Sequence, residues 1–432
     1  GPDSQCFQED KAMPKKKKGK KGKKGKKGPA ILTTGHHLLE RERCMCPRFG
    51  DAYYRTEKAD NIKNDVAFYK IKKAADKGLD TLDLAGCSFN FLPDELGIVN
   101  VFTTTLVDLN LARNNLFGSD SAFSVLKNLT SLKRLSLANN FLNGKLSEDA
   151  GFLTKLEELD LDGNQISELP DKCDQWSELR VFSCGGNMLT SLPEGVEHWE
   201  KLEMLNLREN SFASLPPQMG KWVKMKRLFL GVNKLTELPD CIGEMKELVE
   251  LDVRKNELTA VPVTLGECVM LEHLNLGHNK IPLLPDEFLA KLPLLRELYL
   301  YGNKLENLEL PEESMTNMEK LSLSKNNFKT LPEGVGAMTN LKELYVNGNS
   351  KFSSLPVSVG NLRSLRELAL RGCPKLKSIP SSVTNCEGLK ELDLRTAGFG
   401  GKKDVCKVPQ EIVDHLGGQK CRVKGAVVKK AK

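Results

Sequence analysis

One spacing constrains this chain more than any other feature: the string L-x-x-L-x-L-x-x-N-x-L returns about every 23 residues between Leu106 and Phe352. Clear copies occupy residues 156–166 (LEELDLDGNQI), 248–258 (LVELDVRKNEL), 271–281 (LEHLNLGHNKI) and 295–305 (LRELYLYGNKL). The asparagines fall at Asn114, Asn140, Asn164, Asn187, Asn210, Asn233, Asn256, Asn279, Asn303, Asn326 and Asn349, with gaps of 23 to 26 residues. Degenerate copies at Cys87, Cys373 and Ala397 extend the series to about 14 turns. A fixed period in the twenties predicts a solenoid, in which each turn covers the apolar face of the next.

The period has a physical cause. The two leucines of the central L-x-L point to one side of a short strand, because strand side chains alternate faces. One turn cannot cover them, so neighbouring turns stack and their strands join a parallel sheet. The asparagine marks the bend that follows the strand; its amide can satisfy backbone groups of its own turn and of the next. The second half of each turn reads L-P-x-x-apolar-x-x-apolar, as in Leu238-Pro239-Asp240-Cys241-Ile242-Gly243-Glu244-Met245. Proline starts a compact helical or irregular return on the convex side. The expected fold is an α/β solenoid, a horseshoe with a parallel concave sheet.

These motifs resemble the intracellular leucine-rich-repeat class that includes the Ras suppressor protein, other Ras-binding scaffolds and the plant intracellular Ras-group repeat proteins. The resemblance covers residues 79–416. It implies signalling partners, with a small GTPase or a phosphatase complex as the class expectation. Two turns depart from the pattern, Leu116-Phe117-Gly118-Ser119 and Leu142-Asn143-Gly144-Lys145, which lack the Leu-Pro step. The second resembles an L-x-G-x-[IL] variant of plant repeats, so a different outer surface is expected there.

An open stack needs caps. Residues 56–78 read as an N-terminal capping helix, with Thr56 as N-cap, an apolar stripe Ile62, Val66 and Tyr69, and Gly78 as the stop. The repeats then run over residues 79–401, and residues 402–418 form a C-terminal cap, a half-repeat ending at Gly417-Gly418. A lysine-rich tail expected to be disordered (1–28), an extension of less readable structure (29–55) and a basic tail (419–432) complete the division.

Charge separates along these lines. Residues 1–28 hold 11 lysines against three acidic residues, and residues 402–432 hold eight lysines and Arg422 against three. With +7 overall, residues 29–401 sum to about −7, an acidic body between basic tails. The tract Lys15, Lys16, Lys17, Lys18, Lys20, Lys21, Lys23, Lys24, Lys26 and Lys27 is spaced by glycines. It suits an acidic polymer, such as tubulin tails, nucleic acid or an anionic surface, or else a solvated or targeting tail. No aromatic interleaves the lysines, which argues against base stacking. The start residue reads as either Gly1 or Met13.

No run of about 18 apolar residues exists, so no transmembrane segment is expected. No signal peptide precedes the repeats. Cys184 replaces a strand leucine, and Cys173, Cys268 and Cys386 take convex apolar positions, as buried free thiols do. Together these place the chain in a reducing compartment, the cytoplasm, with cilium, cytoskeleton or nucleus as alternatives. His36, His37, Cys44 and Cys46 lack the usual zinc spacing and read as surface residues; no metal site or cofactor is expected. Trp176, Trp199 and Trp222, 23 residues apart, fall at one convex apolar position and read as stacked core.

Enzyme signatures are missing: there is no phosphate loop, G-x-S-x-G, H-E-x-x-H or kinase set. The expectation is a non-catalytic protein-binding scaffold that uses its concave face. Motif positions 3, 5, 7 and 8 point there and supply Arg208, Arg227, Phe229, Arg254, His273, Glu297, Tyr299, Tyr301, Tyr345, Arg371 and Arg395. Phe229, Tyr299, Tyr301 and Tyr345 are expected to be exposed, since they have no core role in this register. Position 3 is acidic in Glu250, Glu297, Glu343, Glu367 and Glu391, giving an acidic column beside arginines such as Arg254, Arg371 and Arg395. Aromatics and arginines are the types that dominate interface energy. A structural cytoskeletal or ciliary role, anchored by the basic tails, and a nucleic-acid-associated role are the alternatives.

Overall fold

The structure is a computed structural model and describes residues 61–310, 315–395, 406–425 and 427–429, with two short strands further upstream. Those strands, Glu42–Arg43 and Tyr54–Arg55, pair antiparallel in a separate unit, residues 1–61. The second unit, residues 62–432, holds a 15-stranded sheet, parallel throughout. Its strands follow chain order from Thr81–Asp83 to Arg422–Lys424. The first fourteen are the strands of the fourteen turns expected from the period. The fifteenth lies inside residues 419–432, expected as a basic tail; it extends the sheet by pairing Arg422 with Glu391. A strand spelled Arg-Val-Lys hides its single inward residue between two charges.

The core sits behind the sheet. Leu228 and Leu230, Leu251 and Val253, and Leu274 and Leu276 are fully buried, and each pair repeats in the next turn. At roughly 1.5–3 kcal/mol for each such side chain removed from water, this stack is the main favourable term. Cys173, Cys184, Cys268 and Cys386 fill core positions as expected.

The asparagines tie the turns together. The Asn256 amide nitrogen donates to the carbonyls of Leu230 (3.0 Å), in the preceding turn, and Val253 (2.9 Å), in its own. Its oxygen accepts from the Leu235 N–H at 2.9 Å, again in the preceding turn. Asn279 repeats the set one turn on, with Val253, Leu276 and Leu258. Each amide thus satisfies three buried backbone groups that the bend would otherwise orphan.

On the convex side, prolines such as Pro170, Pro239, Pro262 and Pro356 precede five-residue 3-10 helices, for example Asp240–Glu244 and Val263–Glu267. Trp176, Trp199 and Trp222 stack there with ring centroids 6.1 and 6.3 Å apart. Each indole N–H donates to a carbonyl of the turn before: Ala150, Cys173 and Val196. The two departing turns do differ. Ser119–Leu126 is an α-helix, and Asn143–Lys145 pairs with Gln165–Glu168 in a second, lateral sheet.

The N-terminal cap is the helix Asn61–Lys77, stopped by Gly78 at φ +60°. Thr56 lies outside the described residues. The buried face is Ala67, Ile71 and Ala74, while Val66 and Tyr69 face solvent, Tyr69 at 64% exposure. At Val66 and Tyr69 the expected stripe is therefore corrected by one helical step, and the Ile62 side chain lies outside the described residues. The helix lies close against the first turn, where the Lys70 ammonium reaches the Asp83 carbonyl (2.9 Å), and that approach favours alanine over large side chains. At the other end, the half-repeat is the strand Lys407–Pro409 followed by the helix Gln410–Gly418.

Candidate protein-binding surface

Parallel pairing in register stacks each motif position into a column across the concave face. The position-3 column reads Arg227, Glu250, His273, Glu297, Lys320, Glu343, Glu367, Glu391 and Arg422. Ion pairs of these carboxylates lie within the column or beside it. Lys320 reaches Glu343 at 2.9 Å, His273 lies 3.5 Å from Glu297, and Lys424 bonds Glu391. In-register neighbours are closer than diagonal ones, so Lys320 and His273 pair along the column, while the successive Glu343, Glu367 and Glu391 take partners from beside it, the Tyr345 hydroxyl and Lys424.

Burial raises the Glu297 carboxyl's pKa, but hydrogen bonds from His273 and from the Tyr299 hydroxyl (2.9 Å) outweigh it and leave it lowered. The hydrogen bond to Glu297 raises the His273 imidazole against its own burial. Glu250 is raised, because desolvation exceeds the help of His273, Arg208 and Arg227.

Arg208 and Arg254 sit beside this column. Asp252, with its side chain fully buried, takes an Arg208 guanidinium nitrogen at 2.8 Å and Arg254 Nε at 3.5 Å. Arg208 also lies 4.0 Å above the Phe229 ring. Two cations over one buried carboxylate make a pre-set, partly exposed cationic site. Arg395 grips Asp393 of its own turn (2.8 Å), whereas Arg227 and Arg371 are exposed.

The aromatics are not the exposed anchors that the alternation implies. Tyr299 is 1% exposed, Phe229 and Tyr301 are buried, and Tyr345 is half-buried. They form a second packed layer on the concave side, roofed by long side chains from adjacent turns. Tyr301 meets Tyr299 and His278 edge to face, at 6.4 and 5.1 Å. Its ring lies so close to Gly277 that a Cβ there would come within 2.5 Å of it. Lys320 stands over the rings of Tyr299 (5.4 Å) and Tyr345 (5.6 Å), a cation between two π faces. The Tyr345 hydroxyl bridges Glu343 (2.9 Å) and Glu367 (3.0 Å); burial first, then these two carboxylates, push its pKa well up.

The sequence pattern missed Asp252 and Lys320, which organise the two clusters, and a third centred on Asp162. Asp162 accepts from Ser183 (2.7 Å) and Asn206 (3.2 Å), while burial, the larger effect, keeps its carboxyl raised. For Lys320 the available signal was a cation at a position that is glutamate in the turns on either side, Glu297 and Glu343; Asp252 carried none, since aspartate recurs at its position as Asp83, Asp160 and Asp393.

Among the described residues no group of three or more His, Cys, Asp or Glu is placed to hold a metal ion. No helix among them is long and apolar enough to cross a membrane. The lysine tract 15–27 and His36, His37, Cys44 and Cys46 lie outside the described residues.

Leucine rich repeat sequence models match residues 130–172, 246–305 and 316–359. A leucine-rich-repeat protein of Leptospira interrogans is 25% identical over 82% of this chain and 98% of its own, with a TM-score of 0.65. An internalin of Listeria monocytogenes is 22% identical over 71% and 84%, at 0.60. The Toll–Spatzle complex of Drosophila contributes a chain 21% identical over 80% and 47%, at 0.63. No curated protein matches the sequence. Repeat matches spread along the solenoid, an asparagine ladder and a continuous parallel sheet together give this chain the leucine-rich-repeat fold.

Proposed function

We propose that this chain is a non-catalytic scaffold that binds a protein partner on the concave face of its repeats, in intracellular signalling. The observation that carries this reading is the fixed arrangement of charged and aromatic side chains there. Arg208 and Arg254 are held on buried Asp252, and Lys320 is held between Tyr299 and Tyr345. Side chains ordered before binding lose less entropy when a partner arrives. The face also mixes cations and carboxylates turn by turn, which favours a protein surface of matched charges over a uniform polyanion.

A reducing compartment is supported by nine free cysteines among the described residues, eight of them buried. A small GTPase or a phosphatase complex is the partner class that the repeat type suggests. A second reading has one specific observation behind it: the lysine tract at residues 15–27 suits an acidic polymer such as tubulin tails or nucleic acid.

Quantitative capture from cell extract separates the two. The chain is compared with R227E/R371E, which reverses two exposed concave charges, and with a form lacking residues 1–28. The scaffold reading expects loss of the main partner from the concave variant and retention by the shortened form. Loss from the shortened form alone, steep in added salt, assigns the interaction to the tail and overturns the scaffold reading.

A further inference from the structure

One rim of the concave face is made by the residue before each ladder asparagine, and its backbone is left-handed in turn after turn, with φ between 54° and 72°. Glycine fills this position at Gly163, Gly186, Gly302 and Gly348, as the conformation favours. The four successive turns between Gly186 and Gly302 instead carry Glu209, Val232, Lys255 and His278.

His278 has a structural reason to be there, its edge contact with the Tyr301 ring at 5.1 Å. Val232 does not share it. A β-branched side chain is the least suited to φ +61°, and 37% of this one is open to solvent. The hydrogen bond of this residue, from its N–H to the Arg254 carbonyl at 2.8 Å, is made by backbone and would survive in glycine. A local rule broken without a compensating gain in the folded chain points to use.

The surroundings say what kind of use. Gly231, beside Val232, has no side chain, and the Arg254 side chain crosses that gap: a Cβ on Gly231 would lie 3.2 Å from its Cγ. Arg208 lies on the same side, tied with Arg254 to Asp252. Lys255 follows on the rim of the next turn. An apolar knob is thus set beside two half-buried guanidiniums and an exposed ammonium, against the single rim carboxylate of Glu209.

Resting on the protein-binding reading above, we propose that the rim at Val232 is a docking point for an extended acidic segment of the partner. That segment places an apolar side chain on Val232 and carboxylates on Arg208 and Arg254.

The test selects a displayed library of random peptides on the full chain, then measures binding and melting for the chain and its V232G, V232I and R371E/R395E variants. The proposal expects selected peptides to combine acidic residues with an apolar one. V232G should melt higher than the parent yet bind these peptides roughly tenfold more weakly, and V232I should bind them like the parent. Absence of enrichment, enrichment without acidic residues, equal binding by V232G, or a lower melting temperature for V232G overturns it. If R371E/R395E alone loses the peptides, concave binding stands and the Val232 site falls. If no concave variant changes binding, both fall.

Discussion

On the core side of each strand the neighbours are copies: Leu251 stands between Leu228 and Leu274, and Asn256 between Asn233 and Asn279. On the concave side of the same strands the neighbours are complements. Asp252 stands between Phe229 and Asn275 and grips two arginines, and Lys320 stands between Glu297 and Glu343. Copies give a stack whose stability is a sum of equivalent turn-to-turn contacts. Complements give each turn its own surface chemistry, so a partner can distinguish one turn from the next.

The sharpest way to break this contrast is to remove one copy. Asn256→Ala leaves three buried backbone groups without partners and should cost about 4 kcal/mol, read by denaturant unfolding. Asn279→Ala should cost nearly the same. A difference much above about 1 kcal/mol between them would mean that the turns are not equivalent.

Removing a complement should cost less and depend on context. Asp252→Ala leaves Arg208 and Arg254 with less than their full burial cost, since both retain access to water, and should destabilise by about 2 kcal/mol. In a double-mutant cycle with Arg208→Ala the effects should fall short of additivity by about 1 kcal/mol or more. Lys320→Met removes the cation shared by two tyrosines and Glu343, with an expected loss of about 1 kcal/mol. Additivity at Asp252, or no change at Lys320, would mean that the concave layer is ordinary solvated surface.

The smallest effect is a pH signature. His273 has a folded pKa above the ordinary 6.5, so its contribution is complete below that value and fades as pH rises through the folded one. Glu297 lies below the ordinary 4.5, so its contribution is present above that value and fades as pH falls through the folded one. The stability difference between the parent and His273→Gln should therefore peak between these pH values. It should reach about 0.5 kcal/mol and shrink as pH rises through the folded His273 value. A difference flat in pH would remove the pair from the account.

The same contrast explains what the sequence reveals. Copies recur at a fixed spacing, so the leucine core, the asparagine ladder and the stacked Trp176, Trp199 and Trp222 are readable from one turn to the next. Alternation also tells which side chains leave the core. It does not tell how far neighbouring side chains reach, and that distance decides whether an outward tyrosine is bare or roofed. Tyr299 and Tyr301 are buried because Lys320, His278 and each other's rings close over them. The capping helix misleads for a related reason: hydropathy points to Val66 and Tyr69, but close packing on the first turn selects Ala67 and Ala74. The left-handed rim was legible in principle, as a residue before the asparagine that is often glycine, yet its meaning needs the backbone angle.

Hydroxyl-radical footprinting of the chain with its captured partner tests the central claim most directly, that the concave layer is where recognition happens. The account predicts protection of peptides carrying Arg227, Val232, Tyr345 and Arg371, with the convex returns around Lys221 and Val263 unchanged. Protection confined to those convex returns would contradict it.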